Sequence, residues 1–65
     1  MEKDWKDLIG KRILIREAIS SYFPIEEVKI LEVSPNGKYV KVKNLLRDKV
    51  EWIRIEKYDL LEKLD

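Results

Sequence analysis

The side chains that could do chemistry in this chain are cations set among aromatic and aliphatic residues. From Val28 to Asn44 runs VKILEVSPNGKYVKVKN, two β-branched runs joined by Ser34-Pro35-Asn36-Gly37. In a hairpin, strand alternation puts Lys29, Leu31, Val33, Tyr39, Lys41 and Lys43 on one face. Val28, Ile30, Val40 and Val42 take the other, with Glu32 near the tip. Leu45, Leu46, Arg47 and Lys49 follow at once and extend the candidate binding face into the next connection. Such a face has two uses. Lysines interleaved with an aromatic residue attract phosphates and stack bases. An apolar strip of Leu31, Val33 and Tyr39 beside two loop leucines offers docking to a protein partner or a second copy of the chain. The plain alternative is a solvated sheet face in a charge-rich protein.

Other chemistries have little to work with. The 65 residues contain no cysteine and no histidine, which removes disulfides, thiolate zinc sites and imidazole catalysis. The acidic residues are interleaved with lysines rather than clustered, so no metal and no cofactor is expected. Glu26 and Glu27 could be drawn as an acid/base pair, but adjacent strand residues point to opposite faces, and so short a chain encloses no pocket. The expectation is therefore a non-catalytic binding module. Protein interaction or self-association stands slightly ahead, and nucleic-acid binding is the alternative.

Charge limits the second reading. The formal net charge is +1, yet 42% of residues are charged. Lys38 to Val50 carries a net +4, whereas Glu51 to Asp65 carries −2. A basic hairpin beside an acidic tail suits weak, salt-sensitive binding of nucleic acid rather than tight non-specific binding. Threonine and glutamine are absent, and the excess of lysine, glutamate and isoleucine resembles that of thermophile proteins with surface ion-pair networks. No apolar run approaches the ~20 residues of a membrane span. The start MEKDWKD lacks a signal peptide's apolar core, so no membrane partner and an intracellular (cytoplasmic) setting are expected.

The elements that must position the face can be read around it. Pro35, Asn36 and Gly37 predict a type I turn with a bulge, pairing Ser34 with Lys38 so that facing residue numbers sum to 72. That register sets Lys29 against Lys43, a like-charge pair that favours a splayed end or an anionic partner. Asp4 caps a short helical turn in which Trp5, Leu8 and Ile9 share a face, and Gly10 ends it. Ile13 and Ile15 predict a first strand, and Lys49 to Ile53 a fourth in which Val50 and Trp52 share a face. Arg54 to Tyr58 fits one tight helical turn. Asp59 to Leu64 closes as a strand with Leu60 and Leu64 inward. Trp52 and Tyr58 are expected to pack as core residues. The competing reading is α+β, a three-stranded meander with helices over Lys11 to Tyr22 and Lys57 to Leu64.

This order of elements resembles an SH3-like (Tudor-like) small β-barrel. The resemblance is carried by LIGKRILI at the first strand, SPNG between the second and third, and EWIRIEKYDLL, where Tyr58 matches the tyrosine that closes the helical turn of SH3 domains. It implies a mostly β fold, a small five-stranded barrel with an N-terminal helical turn and a 3-10 turn before the last strand, in a single domain over residues 1–65. The first strand lacks an aromatic peptide-binding motif, and Arg54-Ile55-Glu56-Lys57 has no proline before Tyr58. Proline-rich peptides are therefore not the implied ligand.

Overall fold

A computed structural model describes residues 5–19 and 22–65. Five strands form one antiparallel sheet: β1 (Arg12–Glu17), β2 (Glu26–Val33), β3 (Tyr39–Asn44), β4 (Lys49–Arg54) and β5 (Tyr58–Lys63). Their spatial order is β4-β3-β2-β1-β5. A 3-10 turn at Trp5–Leu8 precedes β1, and another at Ile55–Lys57 joins β4 to β5. The described residues hold no α-helix, which discards the α+β alternative. Ile13 and Ile15 decide the matter for β1. Both are buried almost completely, as period-two neighbours on one strand face must be.

One face of the sheet is the core. Ile13 and Ile15 of β1, Val28 and Ile30 of β2, Val40 and Val42 of β3, and Ile53 of β4 meet there. Trp5 and Leu8 lie over them from the first 3-10 turn, while Val33, Ile55, Tyr58 and Leu60 pack at the margin. Since the described residues lay no helical layer over this face, burial requires the sheet to curl round its own apolar side. Two bulges supply local bends: Leu31 is the extra residue of β2 and Leu61 that of β5.

The curl stops short of the closed barrel expected from sequence, because β4 and β5 do not pair with each other and remain edges. Register explains why β4 is a poor closing strand. Its residues on the core side are Ile53, Glu51 and Lys49, opposite Val40, Val42 and Asn44, and only Ile53 is buried. Inward-pointing charges of this kind blunt a sheet edge.

The central hairpin keeps the expected core but not the whole expected register. Val28↔Asn44, Lys29↔Lys43 and Ile30↔Val42 follow the sum of 72, whereas Glu32↔Lys41 and Val33↔Val40 are shifted by one. The turn is longer than predicted, with Tyr39 rather than Lys38 facing Ser34: the Ser34 N–H donates to the Tyr39 carbonyl at 2.9 Å. Side chains brace it. The Ser34 hydroxyl donates to Asn36 Oδ1 at 2.7 Å, and that oxygen also accepts the Lys38 N–H at 3.0 Å. The Tyr39 N–H donates back to Ser34 Oγ at 3.0 Å. Leu31 absorbs the difference, so Val33 turns to the core and Glu32 to the outer face.

Three smaller expectations change. Ile9 is exposed, because the chain leaves the 3-10 turn through Gly10 at φ +85°, whose N–H donates to the Ile30 carbonyl at 2.7 Å. Leu64 lies beyond β5 and is exposed rather than inward, whereas Leu60 is half-buried as expected. Asp4, read as a helix cap, lies outside the described residues. No helix among the described residues is long and apolar enough to cross a membrane.

Candidate nucleic-acid interface

The outer face of β2, β3 and β4 gathers the candidate residues into cross-strand rows. Arg12, Lys29, Lys43 and Val50 face one another in sequence across β1, β2, β3 and β4. In the next row Glu32, with the bulged Leu31 beside it, faces Lys41, and Lys41 faces Trp52. Tyr39 and Arg54 form a third row nearer the turn. Trp52 is therefore not the core residue expected of it. It is 48% exposed, with Tyr39 at 41% and Val50 at 47% on the same face. The reason is register: Val40 opposes Ile53, so the isoleucine takes the inward position and its neighbour must point out.

The first row sets three cations side by side, Arg12, Lys29 and Lys43. Directly opposed like charges on a sheet cost on the order of 0.2–1 kcal/mol per pair, and carboxylates offset this unevenly. Arg12 is bound most fully. Its main-chain N–H donates to Asp65 Oδ2 at 2.9 Å, and Nε and Nη2 donate to Asp65 Oδ1 at 3.1 and 2.9 Å. Glu27 lies 3.6 Å from Arg12 Nη1. The Arg12 side chain, by hydrogen bond, and then its main-chain N–H hold the Asp65 carboxyl below its ordinary pKa. Lys43 meets Asp48 at 3.1 Å, but Asp48 is largely exposed, and such a pair contributes little. Arg54 meets its near neighbour Glu56 at 2.9 Å. Lys29 and Lys41 form no ion pair among the described residues.

The remaining predicted site residues fall elsewhere. Val33 packs against the core. Lys49 sits opposite Asn44 on the inward side of β4 and is exposed at its end, away from the lysine row. Leu45, Leu46 and Arg47 occupy the turn between β3 and β4, which Asn44 builds. Asn44 is buried; its Oδ1 accepts the N–H groups of Leu46 and Arg47 at 3.1 and 3.0 Å, while its Nδ2 donates to Glu26 Oε1 at 2.9 Å. Leu46 is held out on this braced turn at 93% exposure.

Sequence reasoning missed Trp52, Val50, Arg54 and Arg12 as members of the face. No signal within KVEWIR finds the first three: Val50 and Trp52 make its more apolar parity, and only the observed pairing of Ile53 with Val40 sends them, with Arg54, to the outer face. Tyr58, by contrast, packs against the core as expected. Burial foremost, then the nearby Glu17, Glu26 and Glu51, raises its phenol above the ordinary pKa. Comparison with family models, curated proteins and solved structures yields no match to this chain.

Proposed function

We propose that this chain is a non-catalytic, SH3-like binding module whose outer sheet face takes single-stranded nucleic acid. The SH3-like reading is supported by the strand order β5-β1-β2-β3-β4 with a 3-10 turn between β4 and β5. The observation that carries the ligand is the half-exposed Trp52 set directly opposite Lys41, with Tyr39 in the adjoining row and Lys29 and Lys43 in the other. Base stacking on aromatic side chains supplies sequence-tolerant affinity, and the cations follow the backbone. A net charge of +1 keeps the binding modest and salt-sensitive. On this reading the bases lie over Trp52 and Tyr39, and the phosphates meet Lys29 and Lys43 along one row and Lys41 in the next.

A protein partner or second copy is the second reading, and Leu46 favours it: a leucine fully presented on a turn braced by a buried asparagine is a docking element. One titration separates the two. Adding a single-stranded oligonucleotide at low salt moves the amide resonances of Tyr39 to Lys43 and Val50 to Arg54. An unmoved spectrum rejects the nucleic-acid reading, and concentration-dependent shifts at Leu45 to Arg47 without any ligand favour self-association.

A further inference from the structure

We propose that Arg12 and its main-chain N–H form a phosphate site at the end of the lysine row, and that Asp65 occupies this site as a built-in competitor. The inference rests on the nucleic-acid reading and deepens it. Three donors, the Arg12 N–H, Nε and Nη2, converge on the two oxygens of one carboxylate at 2.9, 3.1 and 2.9 Å. A guanidinium fork backed by a main-chain N–H recognises a phosphate by the same geometry. Arg12 also stands in register with Lys29 and, through it, with Lys43, so a phosphate at Arg12 prolongs the row that the lysines begin. Asp65 and a phosphate cannot hold these donors together. The carboxylate relieves the crowding of Arg12 against Lys29 while the face is empty; an anionic strand laid along the row does the same and makes the carboxylate superfluous. Asp65 thereby restrains affinity by withholding one cation from the ligand.

The test compares Asp65→Asn with Glu62→Gln. Glu62 faces Leu14 across β1 and β5, so its neutralisation changes net charge equally without touching Arg12. Each variant is titrated with a single-stranded deoxythymidine oligonucleotide of about 16 nucleotides, long enough to cover a small β domain, alone and combined with Arg12→Gln. Releasing Arg12 from Asp65, with Glu27 still 3.6 Å from its Nη1, steepens the slope of log affinity against log salt by up to about 0.7. The expected result is that Asp65→Asn shows this steepening with an affinity gain of several-fold at low salt, that Glu62→Gln does not steepen the slope, and that Arg12→Gln abolishes the effect. The Arg12 Nε–H resonance should move on oligonucleotide addition in Asp65→Asn. Equal gains from Asp65→Asn and Glu62→Gln, a gain that survives Arg12→Gln, or a stationary Nε–H signal overturns the proposal while wild-type binding stands. If neither the wild type nor Asp65→Asn binds, the nucleic-acid reading falls with it.

Discussion

Replacing Lys41 and Lys43 together by glutamine perturbs the proposed interface at its centre, and the consequence follows from counterion release. Each phosphate neutralised on a single strand contributes about −0.7 to the slope of log affinity against log salt. With Lys29, Lys41 and Lys43 engaged and Arg12 held by Asp65, the slope is about −2, and raising salt about fourfold weakens binding roughly 20-fold. The double variant leaves Lys29 alone on this part of the face. Its slope shrinks to about −0.7, and the same salt step costs only about threefold. The fold should not suffer. Lys43→Gln removes the charge that opposes Lys29, a change that is neutral or stabilising by roughly 0.2–1 kcal/mol, and the lost Asp48 pair is an exposed one. Fluorescence anisotropy of a labelled single strand, measured over a salt series for both proteins, gives the two slopes directly. Equal slopes would show that phosphates do not lie along these lysines, and a wild-type affinity indifferent to salt would refute the electrostatic part of the reading altogether.

Trp52→Ala should weaken single-strand binding by about 1–3 kcal/mol, the scale of one stacked base. Its far-UV circular dichroism should remain that of the parent, since Ile53 and not Trp52 fills the core; unchanged affinity would remove Trp52 from the site. Gly37→Ala should cost about 1 kcal/mol from the left-handed backbone alone, because Gly37 sits at φ +72° with no atom near enough to clash with a new Cβ. Urea denaturation should show a lower midpoint at constant m, and an unshifted midpoint would mean that the turn relaxes freely. The Arg12–Asp65 contact should leave a pH signature. Arg12 first, with a lesser contribution from Lys11, depresses the Asp65 carboxyl below its ordinary 3.8 in the folded chain. The stabilisation is therefore present above that value and is lost as pH falls through the folded pKa. Thermal midpoints of wild type and Asp65→Asn should differ near neutrality and converge in acid, and a gap that stays constant across the series would contradict this assignment.

Much of the fold was legible because the core pattern is strict. Val28, Ile30, Val40 and Val42 alternate so regularly that one face of the hairpin had to be buried, and Ile13 with Ile15 did the same for β1. Gly10, Pro35 and Gly37 marked the breaks between elements. The errors arose where one residue changes parity. Leu31 is an ordinary strand residue by type, and nothing in its chemistry marks it as a bulge; the longer turn braced by Ser34 and Asn36 requires one, and Val33 and Glu32 exchange faces as a result. Trp52 was misplaced for a different reason. Size and hydrophobicity argue for burial, but register outranks both when the neighbouring isoleucine meets Val40. Closure of the sheet was unreadable as well, since it depends on the inward charges of Glu51 and Lys49, whose orientation follows only from the β3–β4 pairing. The lysine face itself was visible from the hairpin, whereas its extension to Arg12 and Trp52 needed the flanking strands.

The central claim is that a base stacks on Trp52, and Trp52 reports on this itself. Trp5 is buried at 8% exposure and Trp52 is half-exposed, so a Trp5→Phe variant leaves one indole, on the proposed face, as the only tryptophan emitter. Titrating that variant with a single-stranded oligonucleotide at low salt should quench the Trp52 emission in a saturable way, and added salt should restore it. Emission that stays unchanged while anisotropy registers binding would contradict the stacking claim, and an absence of binding by both measures would contradict the function proposed for the face.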